Sequence, residues 1–331
     1  MKKQQFSMQI QVTPENREFI EFYQQWSTAI PTLFFLDLCT ISHIKDSLER
    51  DPDDILTEPP SLADLRLNDL PQNGISYLPA LMEKASDTNS NFSVEGLIDE
   101  AGRDLTALKR FFKHARLVES VELVSTYVTD LKGVHPEILG PSYHEFLNFV
   151  NSLQIFNKPA ASKRLETVKA ICDQAGSLGI HKGHPLILAS LACIYGCVAA
   201  KKVFKFKQDP SKFSSSNALG DIQIIQRIGK LSQLIEGEGR RTPGGFLRTH
   251  FVTDDTHLKD FYKYFFINEV TSDEIGDSTR TTYEMTVKAD KLFPDLFNED
   301  GSVKGDAENE ELLKIYAFVG FPVETPPTED A

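Results

Sequence analysis

Short apolar runs closed by an acid alternate along this chain with long stretches of helical period. Thr32 to Leu36 (TLFFL) is a continuous run ending at Asp37, and a helix-like segment, Ile41 to Glu49, follows it. A run that short, then a polar turn, then a helix predicts a buried parallel strand entering a βαβ unit. His250 to Thr253 (HFVT) is a second strand-like run, ending at Asp254 and Asp255 and followed by helical spacing over His257 to Phe266. Between them, Leu105, Leu108, Phe112, Ala115, Val118, Val121, Val124, Val128 and Leu131 recur every three to four residues and predict one long helix. Helices are also predicted over residues 143–156, 162–175, Pro185 to Phe206 and Ala218 to Ile235, the last with N-cap oxygens from Ser214 to Asn217. Residues 75–86 (ISYLPALMEKAS) place Pro79 in a helical first turn. Residues 50–73, 87–94 and 236–245 read as loops, and 268–310 as acidic and irregular.

These elements predict an α/β fold with three α/β/α layers: a short, mainly parallel central sheet with helices on both faces and a helical insertion over about residues 90–180. Residues 1–31 read as a polar extension that becomes helical around Glu15 to Trp26. Residues 32–267 then form the main domain, and 268–331 an acidic extension with a Pro-rich tail.

Composition adds limits rather than detail. The 331 residues are 40% hydrophobic and 25% charged, enough for a sizeable core. Four cysteines, at 39, 172, 193 and 197, make no disulfide framework in so long a chain and read as reduced thiols. The N-terminal lysines precede no apolar run, so no secretory signal is expected. The most apolar stretch, Pro185 to Ala200, is shorter than the roughly 20 residues a spanning helix needs. A cytoplasmic protein with no membrane contact is therefore expected. The net charge of −13 argues against broad electrostatic binding of nucleic acid, so contact with it needs a local basic patch or a bound metal.

The chemistry lies in the acids. Asp37 and Asp255 sit just past two predicted strands, and Asp221 sits in the first turn of a predicted helix. Ligands of open α/β sheets gather at the carboxyl ends of the strands, so such acids can meet there. Clustered carboxylates repel one another, and a hard divalent cation removes that cost.

In this order of elements the chain resembles the PIN domain nucleases. Leu33 to Asp37 resembles their strand ending in Asp. Ile75 to Glu83 resembles a strand-end Ser leading into a helix that bears Glu. Asn217 to Asp221 resembles a helix beginning with Asp, and Phe251 to Asp255 a strand ending in Thr-x-Asp. The resemblance covers residues 32–86 and 184–266. It implies a PIN-like fold and hydrolysis of phosphodiester bonds, with RNA as the family's usual substrate. It also implies one or two Mg²⁺ or Mn²⁺ ions held by Asp37, Glu83, Asp221 and Asp255. Thr253, Asp254 and Asn217 are expected to support that set, with Asp254 a rival to Asp255. Glu95, Asp99 and Glu100 are rivals to Glu83.

Blander readings stand beside these. Asp37 and Asp255 suit plain helix N-caps, and Asp221 suits a first turn favoured by the helix dipole. Lys201, Lys202 and Lys205 are candidate phosphate contacts, or equally a solvated helix end. Cys193 and Cys197 read as core, and His181 and His184 as a surface loop and helix start. The Gly-rich run 236–245 reads as a mobile loop beside the site. The competing function is a catalytically inactive PIN-like scaffold that binds protein or RNA. A further protein partner or a homo-oligomer is compatible with either.

Overall fold

β1 (Thr32–Leu36) is buried at every residue because both of its faces are covered. Leu33 and Phe35 enter one hydrophobic core, and Phe34 and Leu36 enter another on the opposite side. The strand's period of two thus divides one apolar run between two layers. The computed structural model describes residues 13–50, 58–87, 92–132, 137, 139–275 and 278–322. Residues 1–12, the DPDD segment, part of the 87–94 loop and the acidic tail beyond 322 lie outside them.

In chain order, α1 (Arg17–Ala29) precedes β1, and α2 (Leu38–Glu49) and α3 (Pro60–Leu67) follow it. Next come β2 (Gly74–Ser76), α4 (Leu78–Ser86), α5 (Val94–Phe111), β3 (Arg116–Leu117) and α6 (Val121–Leu131). Then come α7 (Gly140–Ser152), α8 (Ala161–Ser177), α9 (Pro185–Ile194), α10 (Val198–Phe204) and α11 (Ser215–Gly239). β4 (Arg248–Val252), α12 (Thr256–Tyr262), β5 (Phe265–Ile275), β6 (Ser278–Val287), α13 (Ala289–Leu292) and α14 (Asp306–Val319) complete the order. The main sheet runs β3-β2-β1-β4 and every pairing in it is parallel. β5 and β6 form a separate antiparallel hairpin.

Helices α2 to α6 cover one face of the sheet, and α7 to α12 with α14 cover the other. The architecture is α/β with helices flanking a parallel sheet, as expected. The helices of the anticipated insertion do not form one layer: α5 and α6 join the first core, α7 and α8 the second.

Several local expectations are corrected. The periodic stretch 105–131 is two helices with β3 between them. The Asp69 carboxylate accepts from the backbone N–H groups of Lys113, His114 and Ala115 at 2.7, 2.9 and 2.7 Å, drawing the chain out of helix. The predicted helix 185–206 is α9 and α10, bent by 118°. Gly196 supplies the turn between them with φ +89, a conformation L side chains rarely adopt. The expected loop 50–73 contains α3. Residues 268–275 and 278–287 are not irregular but belong to the hairpin, and the expected boundary at 267/268 falls inside β5. Beyond it, Leu292, Phe293, Leu296, Leu312, Ile315 and Val319 are all core residues. Among the described residues, no single helix is long and apolar enough to cross a membrane.

Candidate active site

The carboxyl ends of β1 and β4 lie side by side, since the two strands pair in register from Thr32 with Arg248 to Leu36 with Val252. Asp37 N–H continues the ladder by donating to the Val252 carbonyl at 3.1 Å. The Asp37 carboxylate then has two tasks. Its Oδ1 accepts from the backbone N–H of Leu38 at 2.7 Å and caps α2. Its Oδ2 accepts from Thr253 Oγ1 at 2.6 Å and from Cys39 Sγ at 2.9 Å. Thr253 is buried, and its hydroxyl also accepts from Asp255 N–H at 3.1 Å. One hydroxyl thereby fixes both strand ends to each other.

Asp255 caps α12, with Oδ1 accepting from His257 N–H and Leu258 N–H, both at 2.9 Å. The capping roles of Asp37 and Asp255 are therefore real and coexist with their placement at the sheet edge. Asp254 turns elsewhere: its Oδ2 lies 2.7 Å from His43 Nδ1 and accepts from Ser61 Oγ at 2.5 Å. Of the two rivals, Asp255 faces the other acids. Ser61 bonds the carboxylate rather than the imidazole, so these three residues are not a nucleophilic triad.

Glu83 reaches the same place from α4. It packs against α11, where a Cβ at Gly220 would come within 3.3 Å of Glu83 Cγ. Burial, then the negative charges of Asp37 and Asp221, push the Glu83 carboxyl up to about 8. Its rivals stand apart: Glu100 accepts from Lys84 Nζ at 2.6 Å, and Glu95 and Asp99 are exposed.

Asp221 projects from the second turn of α11. Burial pushes it up to about 6, and Asp37 and Asp255 add to the rise while Lys205 opposes it. Lys205 Nζ sits 2.8 Å from Asp221 Oδ2. Burial lowers the Lys205 pKa, but Asp221, Asp255 and Glu83 around the ammonium more than reverse this, and the net shift is upward. Lys205 ends α10 with φ +53, a conformation uncommon outside glycine. The charges of Asp37 and Asp255 thus act on Glu83, Asp221 and Lys205, which places the four acids, from four elements, in one electrostatic group with Lys205 among them.

Other expected residues are not part of that group. Lys201 Nζ donates to the Phe156 carbonyl at 3.2 Å, and Lys202 is exposed to solvent. Asn217 is exposed one turn before Asp221, and its backbone N–H is capped by Ser214 Oγ. The Gly-rich loop lies at the opposite end of the sheet. From Asp221 to Gly239, α11 carries the chain about 27 Å away, to where Leu247 N–H meets the carbonyl of Pro31. His184 is no surface ligand: its Nδ1 caps α9 at Leu186, and burial pushes it down to about 3.

Two participants escaped the sequence. Cys39 touches both Asp37 and Thr253, a contact signalled only by its place two residues after a capping Asp. Arg227 is buried, binds Glu137 through Nε at 2.8 Å and Nη2 at 3.0 Å, and offsets part of the charge on Glu83. Its signal was a lone arginine in the apolar run after Asp221.

The donor set is all oxygen and its negative charge is only partly balanced, which suits a hard divalent cation. Among the described residues, however, no three His, Cys, Asp or Glu side chains stand in an arrangement ready to hold a metal ion. No family model, curated protein or solved structure matches the chain.

Proposed function

We propose that this chain is a metal-dependent nuclease of PIN-like type that hydrolyses phosphodiester bonds, with RNA as its substrate. The observation that carries the reading is the convergence of four acids at the carboxyl ends of parallel strands, where Asp37 and Asp221 add to the rise of Glu83, and Asp37 and Asp255 add to the rise of Asp221. Four acids 34 or more residues apart in sequence have no local reason to share a charge field. Shifted acids gathered in one place mark functional sites more often than structural ones.

In this reading the four carboxylates hold Mg²⁺ or Mn²⁺. Such an ion, when bound, acidifies a water for in-line attack and offsets charge on the phosphate oxygens. Thr253 orients Asp37 through the 2.6 Å hydrogen bond and Asp255 through its backbone. Lys205 holds Asp221, and with an ion bound there its ammonium would be free to meet a phosphate oxygen. Glu83, whose pKa is highest of the acids shifted upward, is the group that would give up a proton as the ion enters.

The experiment is cleavage of mixed RNA and single-stranded DNA with Mn²⁺, with Asp37→Asn as control. Cleavage by the wild type and its loss in the variant support the reading; equal cleavage by both overturns it.

A second reading is a PIN-like scaffold that binds without catalysis. It is favoured by Lys205 standing on Asp221 and by the lack of a ready three-ligand group among the described residues. Thermal unfolding separates the two, because a ligand that binds only the folded state raises its midpoint. The nuclease gains several degrees in millimolar Mn²⁺ and an Asp37→Asn, Asp221→Asn variant does not. A scaffold gains none in either form.

A further inference from the structure

α1 carries its aromatic residues on the outside. Phe19, Phe22, Tyr23 and Trp26 are 64, 65, 58 and 56% exposed, and their spacing of three, one and three places them on one helical face. The rings already touch along the helix, with centroids 6.5 Å apart for Phe19 and Tyr23 and 5.9 Å for Tyr23 and Trp26. Singly exposed apolar residues are ordinary, but four large rings in a stripe are not. Lone aromatic-rich helices are unstable in water at 13 residues, so this one needs a surface to lie against.

The helix is held in place at its C-terminal end. Arg248 Nη1 donates to Ser27 Oγ and Nη2 to the Ser27 carbonyl, both at 3.2 Å, and Gln72 Nε2 donates to the Thr28 carbonyl at 2.9 Å. Arg248 begins β4, so the anchor lies at the end of the sheet opposite Asp37 and Asp255.

We propose that α1 is a dimerisation helix whose aromatic face packs on the same face of a second copy of this chain. The area suffices. At roughly 220 Å² per ring side chain, the exposed parts come to about 500 Å² per protomer and about 1,000 Å² for a pair, the threshold of a specific interface. A two-fold pairing needs only one self-complementary patch, and rings on rings supply it. The chemistry disfavours other occupants. α1 has one cation, Arg17, against Glu18 and Glu21, so this face offers an anionic membrane or a phosphate backbone no attracting charge. Two copies, each with a net charge of −13, repel each other at long range, and salt screens this. Pairing at this end leaves both carboxylate sites open, and the inference stands independently of the nuclease reading.

Trp26 is the chain's one tryptophan, so the wild type reports on its own α1. Sedimentation velocity of the full chain from about 1 to 200 µM gives a monomer–dimer equilibrium with a dissociation constant in the micromolar range, tighter at 0.5 M than at 0.05 M NaCl. Trp26 emission shifts to the blue over the same concentrations. Phe22→Glu with Trp26→Phe abolishes the dimer, weakening it at least about 100-fold, while circular dichroism and melting temperature match the wild type. A monomer at every concentration, with Trp26 emission unchanged, overturns the proposal. So does a dimer that the Phe22→Glu variant leaves intact.

Discussion

At the scale of single residues, the acids of this chain fall into two kinds. Asp104 is a buried carboxylate whose charge is fully answered: Lys45 Nζ lies at 2.9 Å, Lys84 Nζ at 2.7 Å, and Tyr77 donates its hydroxyl at 2.9 Å. Burial raises its pKa, but the two lysines and the tyrosine reverse this and hold it below the usual range. Replacing it by Ala leaves Lys84 desolvated with Glu100 alone, and should cost about 3 kcal/mol, read as a fall in the urea midpoint at constant slope. Glu83 is the opposite case, since burial and its acidic neighbours raise its pKa to about 8. A carboxyl raised from 4.5 to about 8 favours folding below pH 4.5; that contribution is lost as pH rises through about 8, where the folded carboxyl also ionises. Glu83→Gln cannot ionise and escapes that loss. In chelator, the variant should match the wild type near pH 4.5 and exceed it by roughly 1–3 kcal/mol at pH 8.5. A difference that does not change with pH would mean that neither burial nor the charges of Asp37 and Asp221 act on Glu83. Such a gain on neutralising a buried acid is the usual mark of a position kept at the expense of stability.

At the scale of elements, the legible parts were those decided by their own residues. β1, β4 and the two aspartates after them could be read because an apolar run and its acidic end are adjacent in sequence. The helix that bears Glu83 could be read because Pro79 marks its first turn, whereas Glu83 itself was chosen over Glu95, Asp99 and Glu100 only through the resemblance. Elements decided from far away could not. Ala115 and Val118 keep the helical spacing of their neighbours, yet Asp69, more than 40 residues earlier, claims the three N–H groups that a helix there would need. α9 is buried at every residue, so its pattern has no polar face to show where it bends, and only Gly196 marks the place. That bend sets Lys205 on Asp221, which is why the lysine's partner was hidden although its number was not. The hairpin was missed because it is polar on both sides, with only its base, Phe265, Ile267, Met285 and Val287, against the core. That base is testable. Any Cβ at Gly229 collides with Ile267, so Gly229→Val should cost about 1–3 kcal/mol. Adding Ile267→Ala should recover part of the loss. Two costs that simply add would show that helix and hairpin do not meet there.

At the scale of the whole molecule, the sheet is a partition and the carboxylates stand where its two cores meet. Asp37 leaves the partition itself, Glu83 comes from the core of α2 to α6, and Asp221 and Asp255 come from the other. The relative position of the acids therefore depends on both cores being complete. The second core closes only with the end of the chain, because Leu292, Phe293, Leu296, Leu312, Ile315 and Val319 all lie within it and α14 packs on α8. A dispensable acidic extension predicts that a chain stopped at residue 288 folds and keeps its site. The packing predicts otherwise. Six lost side chains at about 1.5–3 kcal/mol each come to about 9–18 kcal/mol, comparable to the 5–15 kcal/mol that holds a typical domain together. The truncated chain should show no cooperative unfolding transition, while Leu312→Ala in the full chain, at about 2–5 kcal/mol, keeps a lower but sharp one. A cooperative melt of the truncated chain near the wild-type temperature would detach the C-terminal elements from the core, and the carboxylate group would then rest on the sheet and α11 alone.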